Sequence, residues 1–246
     1  MSEGAQGRSR RAASLLSYLP TARALSGETG LLDAVSADPN RAILGLWQSP
    51  QSLVAPHGFS RKKGIEAACA ASATRGWPVS FRCTGGDVTP QGAGIANATL
   101  CYALEPGKAP NIADTFDTLC APVFQLFGGQ AGYGYVDGAF CDGAYNITLS
   151  GLKFAGTAQR FRRSKSVPSR IAVMSHAIFV LSPPQAEVFE ALNQFLSDLG
   201  EPRVIRRAQH VGLPAGVTSD GFFKALIDGY TAQFAHLEHA ADVRKN

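Results

Sequence analysis

The run RIAVMSHAIFVLS (170–182) constrains the fold more than any other part of the chain. Its β-branched and apolar residues make it the most strand-like segment, so the architecture has to be built around a sheet. Further strands are expected at RAILGLW (41–47), PVSFRC (78–83), IANATLCYAL (95–104) and NITLS (146–150), and GLKFAGTAQ (151–159) reads as a turn and a strand. Helices are expected over 59–75, 113–127, 184–199 and 219–237. The first of them carries the apolar IEAACAASA, suited to lie against a sheet. Strands and helices mix without a regular βαβ rhythm. An α+β fold therefore fits better than a doubly wound one: a single domain with a central, mostly antiparallel sheet flanked by helices. No internal repeat or interdomain linker is visible. Residues 1–20, a basic cluster followed by few apolar residues, read as a disordered arm ahead of a domain spanning 21–246.

Several functional classes are disfavoured. No apolar run approaches the ~18 residues of a membrane span, and a net charge of +4 gives little bulk attraction to nucleic acid. The five cysteines (69, 83, 101, 120, 141) form no CxxC pair and suit free thiols in a cytoplasmic protein. Cysteines 69, 101 and 120 lie in apolar stretches and read as core. Of the scattered histidines only His236 and His239 are close, so no resident metal site is expected.

Three glycine-rich places need explaining together: RCTGGDVTPQGAGIAN (82–97), CDGAYN (141–146) and GLKFAGTAQR (151–160). Glycines beside strand ends let a ligand sit on backbone N–H groups, and such concavities suit anions. A lysine among small residues can hold a phosphate or an acyl carbonyl as a compact point charge, stabilising negative charge that grows on oxygen. The plain alternative for Lys153 is an exposed lysine in a hairpin turn, and spacing alone leaves both open.

The set Arg82-x-x-Gly85-Gly86-Asp87…Gly94-x-x-Asn97, Asp142-Gly143-x-Tyr145-Asn146 and Gly151-x-Lys153-x-x-Gly156-Thr157-Ala158-Gln159 resembles the lipoate–protein ligases. That superfamily also holds biotin ligases and octanoyl transferases. LWQSPQSLV (46–54) and HAIFVL (176–181) extend the likeness, which runs in order from about residue 25 to 235. The glycine–arginine signature of the biotin branch is not found. The resemblance implies that Lys153 contacts the acyl carbonyl and the activated phosphate, and that Arg82, Gly85, Gly86 and Asp87 form the loop around them. It places Asn97, Tyr145, Asn146, Gly156, Thr157, Ala158 and His176 in the acyl and adenylate pocket, with His176 equally readable as a paired core histidine. Two departures stand out: Pro90-Gln91 where ligases commonly carry His-Asp, and Asn146 where many carry an aspartate for the nucleotide and its magnesium.

As a ligase, the chain would activate lipoate or octanoate with ATP and Mg2+ as an acyl-adenylate and pass the acyl group to a lysine of a lipoyl-acceptor protein. As a transferase, it would need no ATP and would carry the acyl group on a cysteine thiolate. Cys141 lies near the place of the transferase nucleophile, a few residues closer to Tyr145 than usual. A non-catalytic acyl-binding relative is the third reading. The ligase is the leading expectation, working with a separate small accessory subunit in place of the C-terminal domain of longer ligases, or without one. The cluster Arg160, Arg162, Arg163, Lys165 and Arg170 reads as a solvated loop or as the docking site of an acidic acceptor domain. As an exposed or cavity-lining residue, Lys153 is expected to add little to stability.

Overall fold

In the computed structural model, which describes residues 16–240, the strand-like run lies in the middle of an eight-stranded sheet. In chain order the elements are β1 (Leu16–Tyr18), α1 (Thr21–Ala37), β2 (Ala42–Gln48), β3 (Ser52–Pro56), α2 (Ile65–Thr74), β4 (Val79–Arg82), β5 (Thr89–Gln91) and β6 (Ile95–Ala103). They continue with α3 (Ile112–Phe127), β7 (Ala131–Tyr133), β8 (Ile147–Leu149), β9 (Leu152–Arg163), β10 (Ile171–Val180), α4 (Ala186–Asp198), α5 (Ser219–Gln233) and β11 (Leu237–His239). The main sheet runs β1-β2-β6-β10-β9-β8-β7, and β11 also pairs with β2. Neighbours from β2 to β7 are antiparallel, whereas β1 and β11 run parallel to β2. The mostly antiparallel α+β fold is as the sequence implies. A second sheet of three strands, β4-β3-β5, stands beside it.

Alternation along β10 separates the two faces. Ala177 and Phe179 enter one core with Phe116, Phe127, Phe154, Phe222 and Tyr230, beneath α3 and α5. Ile178 and Val180 enter the other, with Leu53 of β3, Ile65 of α2 and Phe189, Leu192 and Phe195 of α4. Caps locate two helices: Asn111 accepts from Ala113 N (3.0 Å) ahead of α3, and Thr218 from Gly221 N (3.1 Å) ahead of α5. α1 buries Ala24, Leu25, Glu28, Leu31, Leu32 and Val35 on one stripe.

Some expectations are corrected. Of the anticipated arm, residues 1–15 lie outside the described residues, but Leu16–Tyr18 pair with Leu46–Gln48. Ser52–Pro56 and Thr89–Gln91, outside the expected strands, pair with each other. The helix anticipated over 59–75 splits into a short 3-10 turn (His57–Arg61) and α2. The last helix stops at Gln233, and Leu237–His239 pair with β2 instead of extending it to 237. Among the described residues no helix is long and apolar enough to cross a membrane.

Candidate active site

Lys153 enters the site from a tight turn. Ser150 (φ 50°) and Gly151 (φ 82°) reverse the chain between β8 and β9, and a bulge at Ile147/Thr148 shifts the register. The side chain is fully buried, 0% exposed, rather than in a solvent-facing turn. Its Nζ donates to the carbonyls of Phe140 (2.5 Å) and Cys141 (2.6 Å) and lies 5.0 Å from the Phe140 ring centroid. Burial pushes the ammonium down to about 8, partly offset by the charges of Cys141, Asp142 and Asp87. The small residues around it have a local reason: a Cβ on Gly156 would stand 3.4 Å from Nζ and 3.2 Å from Ile178 Cγ2.

The carbonyls that Lys153 holds belong to a loop fastened from several sides. Asn146 Nδ2 donates to the Cys141 carbonyl at 2.9 Å. His210 Nε2 accepts from Phe140 N (3.2 Å), its Nδ1–H donates to the Arg206 carbonyl (3.1 Å), and its ring stacks on Phe140 at 4.6 Å. Those bonds define a neutral tautomer. Burial, helped by the Lys153 charge, pushes His210 down to about 4. Arg206 pairs with Asp137 (2.6 Å) in the same loop, and Arg203 pairs with Asp87 in the glycine turn. The segment 203–211 thus straps both loops of the site. None of its residues figures in the sequence reading, because only tertiary contact brings them here.

Cys141 is the focus of this arrangement. It is buried, with a left-handed backbone (φ 47°) that a side chain adopts at a cost of order 1–3 kcal/mol. Its Sγ accepts from Asp87 N at 3.4 Å and lies 3.9 Å from Arg82 Nη2. Arg82 also donates from Nη2 to the carbonyls of Gly85 (2.9 Å) and Asp87 (2.7 Å) and from Nη1 to that of Val54 (3.2 Å), so it shapes the turn and reaches the sulfur together. Gly86 (φ 93°) is required, since a Cβ there would fall 2.7 Å from the sulfur. By contrast, burial pushes the thiol of Cys101 well up and that of Cys120 up to about 12, which makes both inert.

Cys141, Arg82, Asn97, Gly156, Thr157, Ala158 and His176 line one narrow cavity between the main sheet, the small sheet and α1, closed by Leu25, Trp47 and Val54. Its free volume is about 20 Å³, room for little more than one water. Asn97 and Gln91 exchange side-chain hydrogen bonds (2.8 and 3.2 Å) in its wall. Past Arg82 and Glu28 it meets a wider groove of about 580 Å³, lined by His57, Ser80, Phe81, Cys83 and Arg160. Other anticipated residues lie elsewhere. Gly85, Gly86 and Asp87 shape the turn behind Arg82 without forming the cavity wall. The Tyr145 ring stacks on Phe116 (4.4 Å) in the opposite core, and its carbonyl accepts from Thr157. Lys153 donates to the Phe140 and Cys141 carbonyls and Asn146 to the latter, so both fasten the loop that carries Cys141. The described residues contain no group of three or more His, Cys, Asp or Glu able to hold a metal ion.

Glu28, missed in the sequence, is the acidic member of the buried stripe of α1 and lines both spaces. It accepts from Trp47 Nε1 (3.0 Å), Thr99 Oγ1 and His176 Nδ1 (3.3 Å), and His176 Nε2 lies 3.0 Å from Thr84 Oγ1. An acid in phase with apolar helix positions was the signal available. In the basic cluster, Arg162 and Lys165 pair with Asp33, Arg160 donates to the Cys83 carbonyl, and Arg170 donates to the Leu104 carbonyl.

The family model described as lipoyl protein ligase A/B catalytic domain matches residues 20–219. An uncharacterised protein of Cupriavidus necator is 33% identical over 183 residues, 70% of this chain and 72% of its own length. The octanoyl-GcvH:protein N-octanoyltransferase of Kyrpidia tusciae is 30% identical over 140 residues, 54% of this chain and 48% of its own. The chain thus spans about half the length of that relative. In structure it is similar to a lipoate–protein ligase A bound with ATP, with a TM-score of 0.63 and 17% identity over 91% of this chain and 85% of the other. A putative lipoate protein ligase of Thermoplasma acidophilum with bound lipoic acid gives the same values. At such identity the likeness is one of fold.

Proposed function

Since the chain belongs to the lipoyl protein ligase A/B catalytic family, we propose that it is an acyltransferase that carries an octanoyl or lipoyl group as a thioester on Cys141. One observation carries this reading: the Cys141 sulfur, on a left-handed backbone, faces the cavity and receives the Asp87 N–H beside the Arg82 guanidinium. Those donors favour negative charge on sulfur and on an adjacent carbonyl oxygen. The sulfur attacks the carbonyl of an acylated carrier lysine; the S–C bond forms, the C–N bond breaks, and the carrier amine leaves with a proton. An acceptor lysine then takes the acyl group and returns Cys141 to the thiol. The acyl chain enters as the cavity walls part, and the groove past Arg82 and Glu28 admits the lysine arm. This reading differs from the ligase expectation in mechanism, while substrate class and acceptor stay the same. Free thiols suit a reducing cytoplasm.

The ATP-dependent ligase is the second reading. It is supported by the Lys153 motif on β9 and by the shared fold with an ATP-bound ligase, and a bipartite archaeal ligase of that fold gives precedent for an accessory subunit. The experiment incubates the protein with an octanoylated carrier domain in the absence of ATP and weighs it intact. A hydroxylamine-labile mass increase of one octanoyl group, lost in Cys141→Ala, is expected. Acylation of an acceptor domain only with free octanoate, ATP and Mg2+ would establish the ligase instead. Acyl binding without transfer under either condition would leave the non-catalytic relative.

A further inference from the structure

We propose that Glu28 and His176, through the Thr84 hydroxyl, form the proton-accepting chain that deprotonates the amine receiving the acyl group. The inference rests on the acyl-transfer reading above, but not on which activated acyl form the enzyme uses. Glu28 is 4% exposed, on the inward stripe of α1. Burial pushes its carboxyl up, but His176, Thr99 and Trp47 outweigh that and hold it below the usual range. Trp47 and Thr99 both donate to Oε1, leaving Oε2 to His176 Nδ1 at 3.3 Å. An ionised carboxylate takes the Nδ1–H and leaves the lone pair on Nε2. That nitrogen is 3.0 Å from Thr84 Oγ1, at the head of the Gly85–Gly86 turn.

Position supports the role. Glu28 and His176 line the acyl cavity with Cys141, and Glu28 also lines the groove by which a lysine arm would approach. The groups facing His176 are Glu28 from α1, Thr84 from the turn, Thr99 of β6 and Ala158 of β9 in register, with Arg82 the cation in the shared wall. The other titratable candidate, Lys153, has its ammonium tied to two carbonyls outside that wall. An acceptor lysine arrives as an ammonium and must lose two protons to become an amide. In the first transfer the ammonium gives a proton to Thr84 Oγ as Oγ gives its own to Nε2. The neutral amine attacks, the N–C bond forms and the C–S bond to Cys141 breaks. The second proton goes to the departing thiolate, and the imidazolium releases the first to solvent.

The test compares two nucleophiles on isolated acyl-enzyme: an apo lipoyl domain, whose lysine arrives protonated, and hydroxylamine, which attacks as a neutral molecule at pH 7. In Glu28→Gln and in His176→Gln, transfer to the lysine should fall by about 10²-fold relative to transfer to hydroxylamine. Added imidazole should restore part of the loss in His176→Gln. Rates are taken per acylated molecule, so altered loading does not enter. An equal fall with both nucleophiles, or no fall with either, would overturn the proposal. If Glu28→Gln does not fold, the partly buried His176→Gln carries the test. If the wild type forms no acyl-Cys141, the transferase reading falls separately, and the same ratio measured with octanoyl-adenylate decides the dyad.

Discussion

An ammonium tied to two backbone carbonyls contributes differently from one in a turn. In Lys153→Met the thioether supplies no donors, leaving the Phe140 carbonyl buried and unpaired and the Cys141 carbonyl to Asn146 alone, which costs about 1–3 kcal/mol. The sequence expectation of unchanged stability is therefore replaced. Chemical denaturation should show that loss, and amide exchange should speed up over residues 140–146. Transfer should fall by about 10²-fold or more as Cys141 leaves its donors, a rate measured on the same samples. Lys153, Arg82 and Cys141 were legible because motif spacing brings them into notice. Their geometry was not, because a buried lysine and an exposed one are written with the same letter.

At the scale of elements, the strap 203–211 is a pH-sensitive fastening. His210 titrates at about 4 in the fold and near 6.5 when unfolded. The unfolded chain therefore binds the extra proton first, and stability present above pH 6.5 is lost as pH falls towards 4, by at most about 3 kcal/mol. Protonation also removes the acceptor for Phe140 N, so the loop carrying Cys141 loosens over the same window. Replacing His210 with Gln should flatten the stability profile between pH 6.5 and 4 in parallel urea titrations; an unchanged slope would refute the coupling. Most elements legible in advance had enough residues to show a period, from β2 and β6 to β9, β10 and α3–α5, while the short β4 and β8 showed through their β-prone residues. α1 was not, because GETG (27–30) interrupts its apolar stripe and reads as a turn. β3 and β5 were hidden by their prolines, which sit on the short sheet at Pro56 and Pro90.

For the whole molecule, the net charge of +4 counts less than where unpaired charge remains. Arg162 and Lys165 share Asp33 as their ion-pair partner, whereas exposed Arg163 has none among the described residues. If the cluster receives an acidic acceptor, Arg163→Glu should slow transfer from isolated acyl-enzyme to the acceptor domain several-fold at low salt, with the difference vanishing near 1 M, and leave transfer to hydroxylamine unaltered. Equal effects on the two nucleophiles would remove the cluster from docking. The edge of β2 has a different consequence. Residues 42–44 are covered by Leu237–His239 and residues 46–48 by Leu16–Tyr18, so two segments some 220 positions apart complete one border. During synthesis at ~5–20 residues per second, that border stays half open for many seconds after β2 has left the ribosome. A nascent chain in that interval exposes unpaired strand to its neighbours on the polysome. Slowing translation ahead of codon 237 should therefore raise the insoluble fraction more than slowing it afterwards.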